Sequence, residues 1–214
     1  MALSKVDFNN INVTPAASKK LKWNSSANGF ETGDVGGSMV LISTVTASSS
    51  STLSFTSGID STYKEYIFKF IDIHPSHDSG KFSFNLSVDG GSNYNVAKTT
   101  TCFEGYHYED DSSTVFNFAG GGALAQSTAD QNILRGVGAD NDQSGCATMH
   151  LFEPSSTTFV KHFLIRASRS QSIDYAADNL FAGYGNTTSA VDAIRFQFNS
   201  GNIDAGTIKM YGVT

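Results

Sequence analysis

Charge is scarce in this chain of 214 residues. Charged residues make up 16% of it, against about 25% in an ordinary soluble domain. The formal net charge is −6, and Lys19-Lys20-Leu21-Lys22 is the one basic cluster. A nucleic-acid partner needs a basic footprint to neutralise phosphates, so no nucleic acid is expected. Cysteine is nearly missing as well. Cys102 and Cys146 stand alone, without metal-ligand spacing. The opening residues Met1-Ala2-Leu3-Ser4-Lys5-Val6-Asp7 lack the apolar core of a signal peptide, so both thiols are expected to be reduced. Long apolar runs are absent too: the longest, over 66–73, is broken by Lys69 and Asp72, and no membrane insertion is expected.

Catalytic signatures are also lacking. There is no Gly-x-Ser-x-Gly, no phosphate loop and no dinucleotide fingerprint. The serine of Gly33-Asp34-Val35-Gly36-Gly37-Ser38 does not sit where a nucleophile belongs, and the segment reads as a Gly-rich junction. The chain is therefore expected to be non-enzymatic and to need no cofactor.

What is present points to strands. Gly, Ser, Thr and Asn fill the space left by charge, while 16 Phe and 8 Tyr supply core surface. Burying such a side chain contributes about 1.5–3 kcal/mol. From Ser38 onward the apolar period is two. Lys81-Phe82-Ser83-Phe84-Asn85-Leu86-Ser87-Val88 alternates without exception, and Asp89-Gly90-Gly91-Ser92-Asn93 follows with hairpin chemistry before Tyr94 reopens a strand. Tyr66, Phe68 and Phe70 share one face of the preceding strand, with Ile67, Ile71 and Ile73 on the other, which predicts a central strand under a second layer. Further strands are predicted over 39–46, 52–55, 96–103, 145–152, 158–168, 181–184, 192–199 and 206–213. Single helical turns are expected near 123–130 and 174–179. Around ten short strands with polar turns predict an all-β fold, a two-sheet antiparallel sandwich of jelly-roll type.

Residues 1–37 differ from this 38–214 sandwich. Their large apolar residues (Phe8, Ile11, Leu21, Trp23 and Phe30) are too widely spaced for a core. This segment reads as an extended N-terminal arm, with Phe8, Ile11, Leu21 and Trp23 as docking residues.

Three places could carry chemistry. Asp140, Asp142 and Ser144 alternate ahead of Gly145 as in half of a calcium loop, but the twelfth position is Leu151, where a closing carboxylate is needed. A polar inter-strand loop, with no metal, is the preferred reading. Glu104, His107, Glu109, Asp110 and Asp111 form the densest acidic cluster, read as a solvated loop tip. Tyr106 and Tyr108 give that loop, 106–111, a recognition character, because exposed aromatics stack on sugars or on a partner. His74 and His77 flank Pro75, whose expected work is to end the strand. His150 and His162 are expected to be core or cross-strand residues.

The closing run Ser200-Gly201-Asn202-Ile203-Asp204-Ala205-Gly206-Thr207-Ile208-Lys209-Met210-Tyr211-Gly212-Val213 resembles the last strand of structural proteins of tailed bacteriophages, marine and cyanobacterial ones above all. Tyr63-Lys64-Glu65-Tyr66-Ile67-Phe68-Lys69-Phe70-Ile71-Asp72-Ile73-His74-Pro75, Asp89-Gly90-Gly91-Ser92-Asn93-Tyr94 and Lys5-Val6-Asp7-Phe8-Asn9-Asn10-Ile11-Asn12-Val13-Thr14-Pro15 are similar to other segments of that group. The resemblance implies a non-enzymatic virion subunit, homotrimeric and assembled in the host cytoplasm beside other tail or capsid proteins. A tail appendage (fibre, spike or tip) is preferred to a head-decorating cement protein, and a host-glycan-binding module is the further alternative.

Overall fold

The computed structural model describes residues 19–26, 28–34 and 39–213. The chain divides into two compact units, 1–38 and 39–214. Phe8 and Ile11 lie outside the described residues. In the first unit Lys19–Trp23 (β1) pairs antiparallel with Phe30–Asp34 (β2), a hairpin that composition did not suggest. Asn24 and Gly29 close its turn through a backbone bond of 2.9 Å. Trp23 stacks on Phe30 at 4.5 Å, and Lys22 pairs with Glu31 at 3.2 Å. Leu21 and Trp23 are both exposed.

The second unit is a sandwich of two antiparallel sheets. Its strands are β3 (Met39–Thr46), β4 (Leu53–Phe55), β5 (Glu65–Pro75), β6 (Gly80–Ser87), β7 (Lys98–Tyr108), β8 (Thr114–Phe118), β9 (Gln131–Val137), β10 (Gly145–Phe152), β11 (Lys161–Gln171), β12 (Tyr175–Gly185), β13 (Ala193–Phe198) and β14 (Ile203–Val213). The large sheet runs β3-β14-β5-β10-β11-β12-β7-β8 and the small one β4-β13-β6-β9.

The pairing is nested. β3 pairs with β14, β4 with β13, β5 with β10 and β6 with β9, alternately in the large and the small sheet. This second unit is thus a long hairpin folded over into two layers. Two further hairpins, β7–β8 and β11–β12, interrupt it and add to the large sheet beyond β10. After β6 the residues Gly90 and Gly91 do take positive φ, 69° and 86°. They do not make a hairpin, because β7 belongs to the opposite sheet. Asp89 instead anchors a crossover, accepting from the Asn93 backbone at 2.8 Å and the Asn93 side chain at 2.7 Å.

Period-two alternation fills the space between the layers. Phe68 and Phe70 of β5, Phe82 of β6 and Phe55 of β4 all surround Phe196 of β13, with ring centroids 5.1–6.2 Å apart. β5 is central, as its sequence predicts, but its two faces differ. Tyr66, Phe68 and Phe70 are buried in the core, whereas Ile71 on the outer face is exposed. Ile73 departs from the pattern and is fully buried. A bulge explains this: Asp72 has φ 50°, and the pairing with both β10 and β14 shifts register beside it. Opposite the bulge, Gly206 has φ 125°, and a Cβ there would come within 2.8 Å of the Asp72 carbonyl oxygen. Only glycine fits that approach.

Candidate functional site

The outer face of the large sheet carries an accessible depression. Three adjoining hollows of about 740, 330 and 480 Å³ form one trough across β5, β10, β11, β12 and β7. Side chains alternate along each strand, so those that point away from the core line it. Leu164 and Leu180 form an apolar floor, continued at the sheet edge by Phe103, Phe116 and Phe118. Phe103 lies parallel to Phe116 at 6.2 Å and edge-on to Phe118 at 6.0 Å. Phe116 and Phe118 are 72% and 59% exposed, unusual values for phenylalanine.

Polar pairs border this floor. Arg166 donates from Nε and Nη2 to the two oxygens of Asp178, at 3.3 and 2.8 Å. That fork holds the already high guanidinium pKa higher still. His150 and Glu65 meet at 2.5 Å. His150 and His162 are cross-strand residues, as expected, His150 meeting Glu65 of β5 and His162 packing on Tyr184 of β12 at 5.9 Å, and both line the trough. The trough can hold an apolar partner surface and fix its orientation through the flanking charges.

The 106–111 segment is organised differently from a loop tip. Tyr106 and Tyr108 sit on β7 and pack against Tyr175 of β12, each with its ring centroid 5.1 Å from that of Tyr175. The rings are half-buried, and Arg169 lies over Tyr175 at 5.4 Å. His107 faces the other way and meets Asp111 across the turn at 2.9 Å. Asp110 caps the same turn by accepting from the Ser112 backbone at 2.9 Å, and hydrogen bonding by the Ser112 side chain, then by its backbone, lowers its pKa. Glu109 and Asp111 are exposed in that turn.

Glu104 does not belong to this cluster. It lies on the inward face of β7, where Arg169 and Asn179 donate to Oε2 at 3.1 and 2.5 Å, and Arg135 approaches at 3.4 Å. Reading 104–111 as one solvated tip missed the alternation of β7, which puts Lys98, Cys102 and Glu104 on one face. The same count along β11 places Lys161, Phe163, Ile165, Ala167 and Arg169 together, so the buried charges had a visible signal. Lys98 and Lys161 are both fully buried. Burial pushes the Cys102 thiol up to about 11.

Asp140, Asp142 and Ser144 lie in the loop between β9 and β10. Its backbone is already committed: the Gln143 N–H donates to the Asp140 carbonyl at 2.8 Å, and the Ser144 carbonyl accepts from the Ser170 N–H at 3.1 Å. Asp142 and Ser144 line a polar groove of about 370 Å³ with Asp72, His74 and Asp204. Among the described residues no group of three or more His, Cys, Asp or Glu side chains is spaced to hold a metal ion. His74 turns to Asp140 and Asp204, and His77 to Ser76, so the two histidines do not converge.

None of the protein-family models, curated proteins or solved structures compared with this chain matches it.

Proposed function

We propose that this chain is a non-enzymatic structural subunit of a tailed-bacteriophage virion, a homotrimeric tail appendage that displays its sandwich outward. The nested strand order carries the reading. First-with-last pairing, alternating between two sheets, is what a jelly roll requires, and viral capsid and lectin domains use that architecture. We infer a jelly roll widened by the β7–β8 and β11–β12 hairpins. The resemblance of the 63–75 and 200–213 segments to phage structural proteins points the same way.

The trough supports self-association. Its five exposed Phe and Leu side chains offer apolar surface on the order of 500 Å², the upper range for a monomer and over half of what one partner buries in a standard interface. A second copy of this chain is the occupant we assign. Head decoration is the neighbouring reading, and copy number separates the two. Quantitative mass spectrometry of purified particles should find a few to a few dozen copies per virion. Hundreds would mean a head protein, and none would remove the virion reading.

Host-glycan binding is a second reading, favoured by the half-exposed Tyr106, Tyr108 and Tyr175 rings, which form a platform of the kind that stacks on sugars. A glycan array with the Tyr175→Ala variant as control tests it.

A further inference from the structure

Lys98 and Asn85 face each other in the buried space between the two sheets. Asn85 lies on β6 of the small sheet and Lys98 opens β7 of the large one; their relative exposures are 2% and 0%. The Asn85 Oδ1 atom accepts from Lys98 Nζ at 2.6 Å and from the Leu86 N–H at 2.9 Å. Its Nδ2 donates to Asp130 Oδ1 at 2.8 Å and to the Thr128 carbonyl at 2.9 Å. This network fixes the amide orientation, since the reverse would set an NH2 group against the lysine and a carbonyl against a carboxylate.

Each group is held from outside. Lys98 and Ser127 exchange two backbone bonds, at 2.8 and 3.0 Å, which seats the 127–130 segment over the amide. Gln197 donates to Asp130 Oδ2 at 2.6 Å, and Arg195 pairs with Oδ1 at 3.6 Å. Lys98 itself has no ion pair among the described residues; besides Asn85 it reaches the Val96 carbonyl at 2.8 Å. A buried ammonium facing amide oxygens alone is costly. Burial accordingly draws its pKa down to about 8, with the Asp130 charge resisting the fall. A useful fraction is then neutral amine near neutral pH.

We propose that Lys98 and Asn85 join spontaneously in an intramolecular isopeptide bond, with Asp130 relaying the proton. Because a C=O bond is about 1.23 Å long, the 2.6 Å contact puts Nζ at most about 3.8 Å from Cγ, close to attack distance. The neutral Nζ attacks Cγ with its lone pair, and the carbonyl electrons move onto Oδ1, where the Leu86 N–H steadies the charge. Once bonded to Cγ, Nζ stands beside Nδ2, which already donates to Asp130 Oδ1 at 2.8 Å, so the carboxylate can take the proton shed by Nζ and return it to Nδ2. The carbonyl re-forms, the Cγ–Nδ2 bond breaks and ammonia leaves. One C–N bond forms and one breaks, with no oxidant, reductant or second substrate. The reaction happens once per chain and ties the two sheets across the 88–97 crossover.

Intact-mass spectrometry of the folded, then denatured, full chain tests this. Wild type should be lighter than its sequence by one ammonia, and digestion should give a branched peptide joining Asn85 to Lys98. Lys98→Arg and Asn85→Ala should keep the full mass. Asp130→Asn should cross-link about 10²-fold more slowly. Wild type at full mass after prolonged incubation overturns the proposal, whether or not the variants fold. Ammonia loss that persists in Lys98→Arg also overturns it, because cyclisation of an asparagine would then be the source. An Asp130→Asn rate equal to wild type removes the relay.

Discussion

Arg169 and Glu104 form an ion pair inside the sandwich, Nη2 to Oε2 at 3.1 Å, with the Arg169 side chain 1% exposed and that of Glu104 12%. Asn179 shares the same oxygen, and Arg169 also donates to the Gly136 carbonyl at 3.0 Å and the Gln171 side chain at 2.9 Å. The pair joins β7, β9, β11 and β12 where the two added hairpins meet the small sheet. Its energy is dominated by what happens when one partner is removed. Arg169→Met should cost up to about 3–5 kcal/mol, because it removes the closer of the two cations on a buried carboxylate and leaves only Arg135, at 3.4 Å. Adding Glu104→Met to it should recover part of that loss. Urea denaturation of wild type, both single variants and the double variant measures both effects; a double-variant cost equal to the sum of the two single costs would mean the pair is not coupled.

The core of this fold was legible because Phe82, Phe84, Phe196 and Phe198 alternate with polar residues, so period two has one solution for the core face, even though Ser83, Asn85 and Ser87 on the other face of β6 are buried as well. Strands without that contrast were not. β8 exposes its phenylalanines and β9 buries Gln131 beside Ile133 and Leu134, so neither alternates in the expected sense. β12 mixes Ala, Asp and Asn along its first half, a composition that suits a helical turn as well as a strand. The Lys98–Asn85–Asp130 grouping was beyond sequence reasoning for a different reason. Its members come from two sheets and a connecting segment, and only tertiary packing brings a buried lysine to an amide.

Lys98 also sets a pH dependence wherever it remains an amine. In Asn85→Ala no cross-link can form, and burial still disfavours the charged form. A folded pKa of about 8 against 10.5 unfolded means that the unfolded chain binds more protons between those values. Stability should therefore rise with pH through that window, the penalty being fully present below pH 8. The span corresponds to about 3 kcal/mol. Tyr66 acts oppositely above pH 10, since burial raises its pKa. Lys98→Met carries the same Tyr66 contribution, so the difference between the two variants isolates the lysine. Parallel denaturation curves at pH 7.5 and 9.5 should diverge; a constant difference would mean that Lys98 is solvated.

Phe116 and Phe118 stand on an edge strand, and both are more than half exposed. Each ring contact with Phe103 is worth about 0.5–1.5 kcal/mol. Phe116→Lys with Phe118→Ser should thus lower the thermal midpoint modestly, by about 2–4 °C per kcal/mol lost. The same pair should abolish self-association if the trough is the contact between copies, since apolar anchors at the centre of an interface carry most of its energy. Light scattering coupled to gel filtration gives the answer directly. A variant that keeps the wild-type oligomer places the contact elsewhere.

Removing residues 1–37 separates anchoring from folding. The 39–214 unit has its own buried core, assembled from both sheets, so the truncated chain should unfold in one cooperative transition at nearly the wild-type denaturant midpoint. A two-stranded hairpin such as β1–β2 has marginal stability by itself in water, and Trp23, at 61% exposure, leaves most of its ring uncovered. An indole held in that state on a marginal hairpin is suited to burial against another molecule. In infected cells complemented with the truncated chain, particles should assemble without it, while the full chain is incorporated. Trp23→Ala should reproduce part of that defect, because a single buried indole at an interface accounts for about 2 kcal/mol or more. Aggregation of the truncated chain would instead show that residues 1–37 complete the core, and normal incorporation would move the anchor into the sandwich.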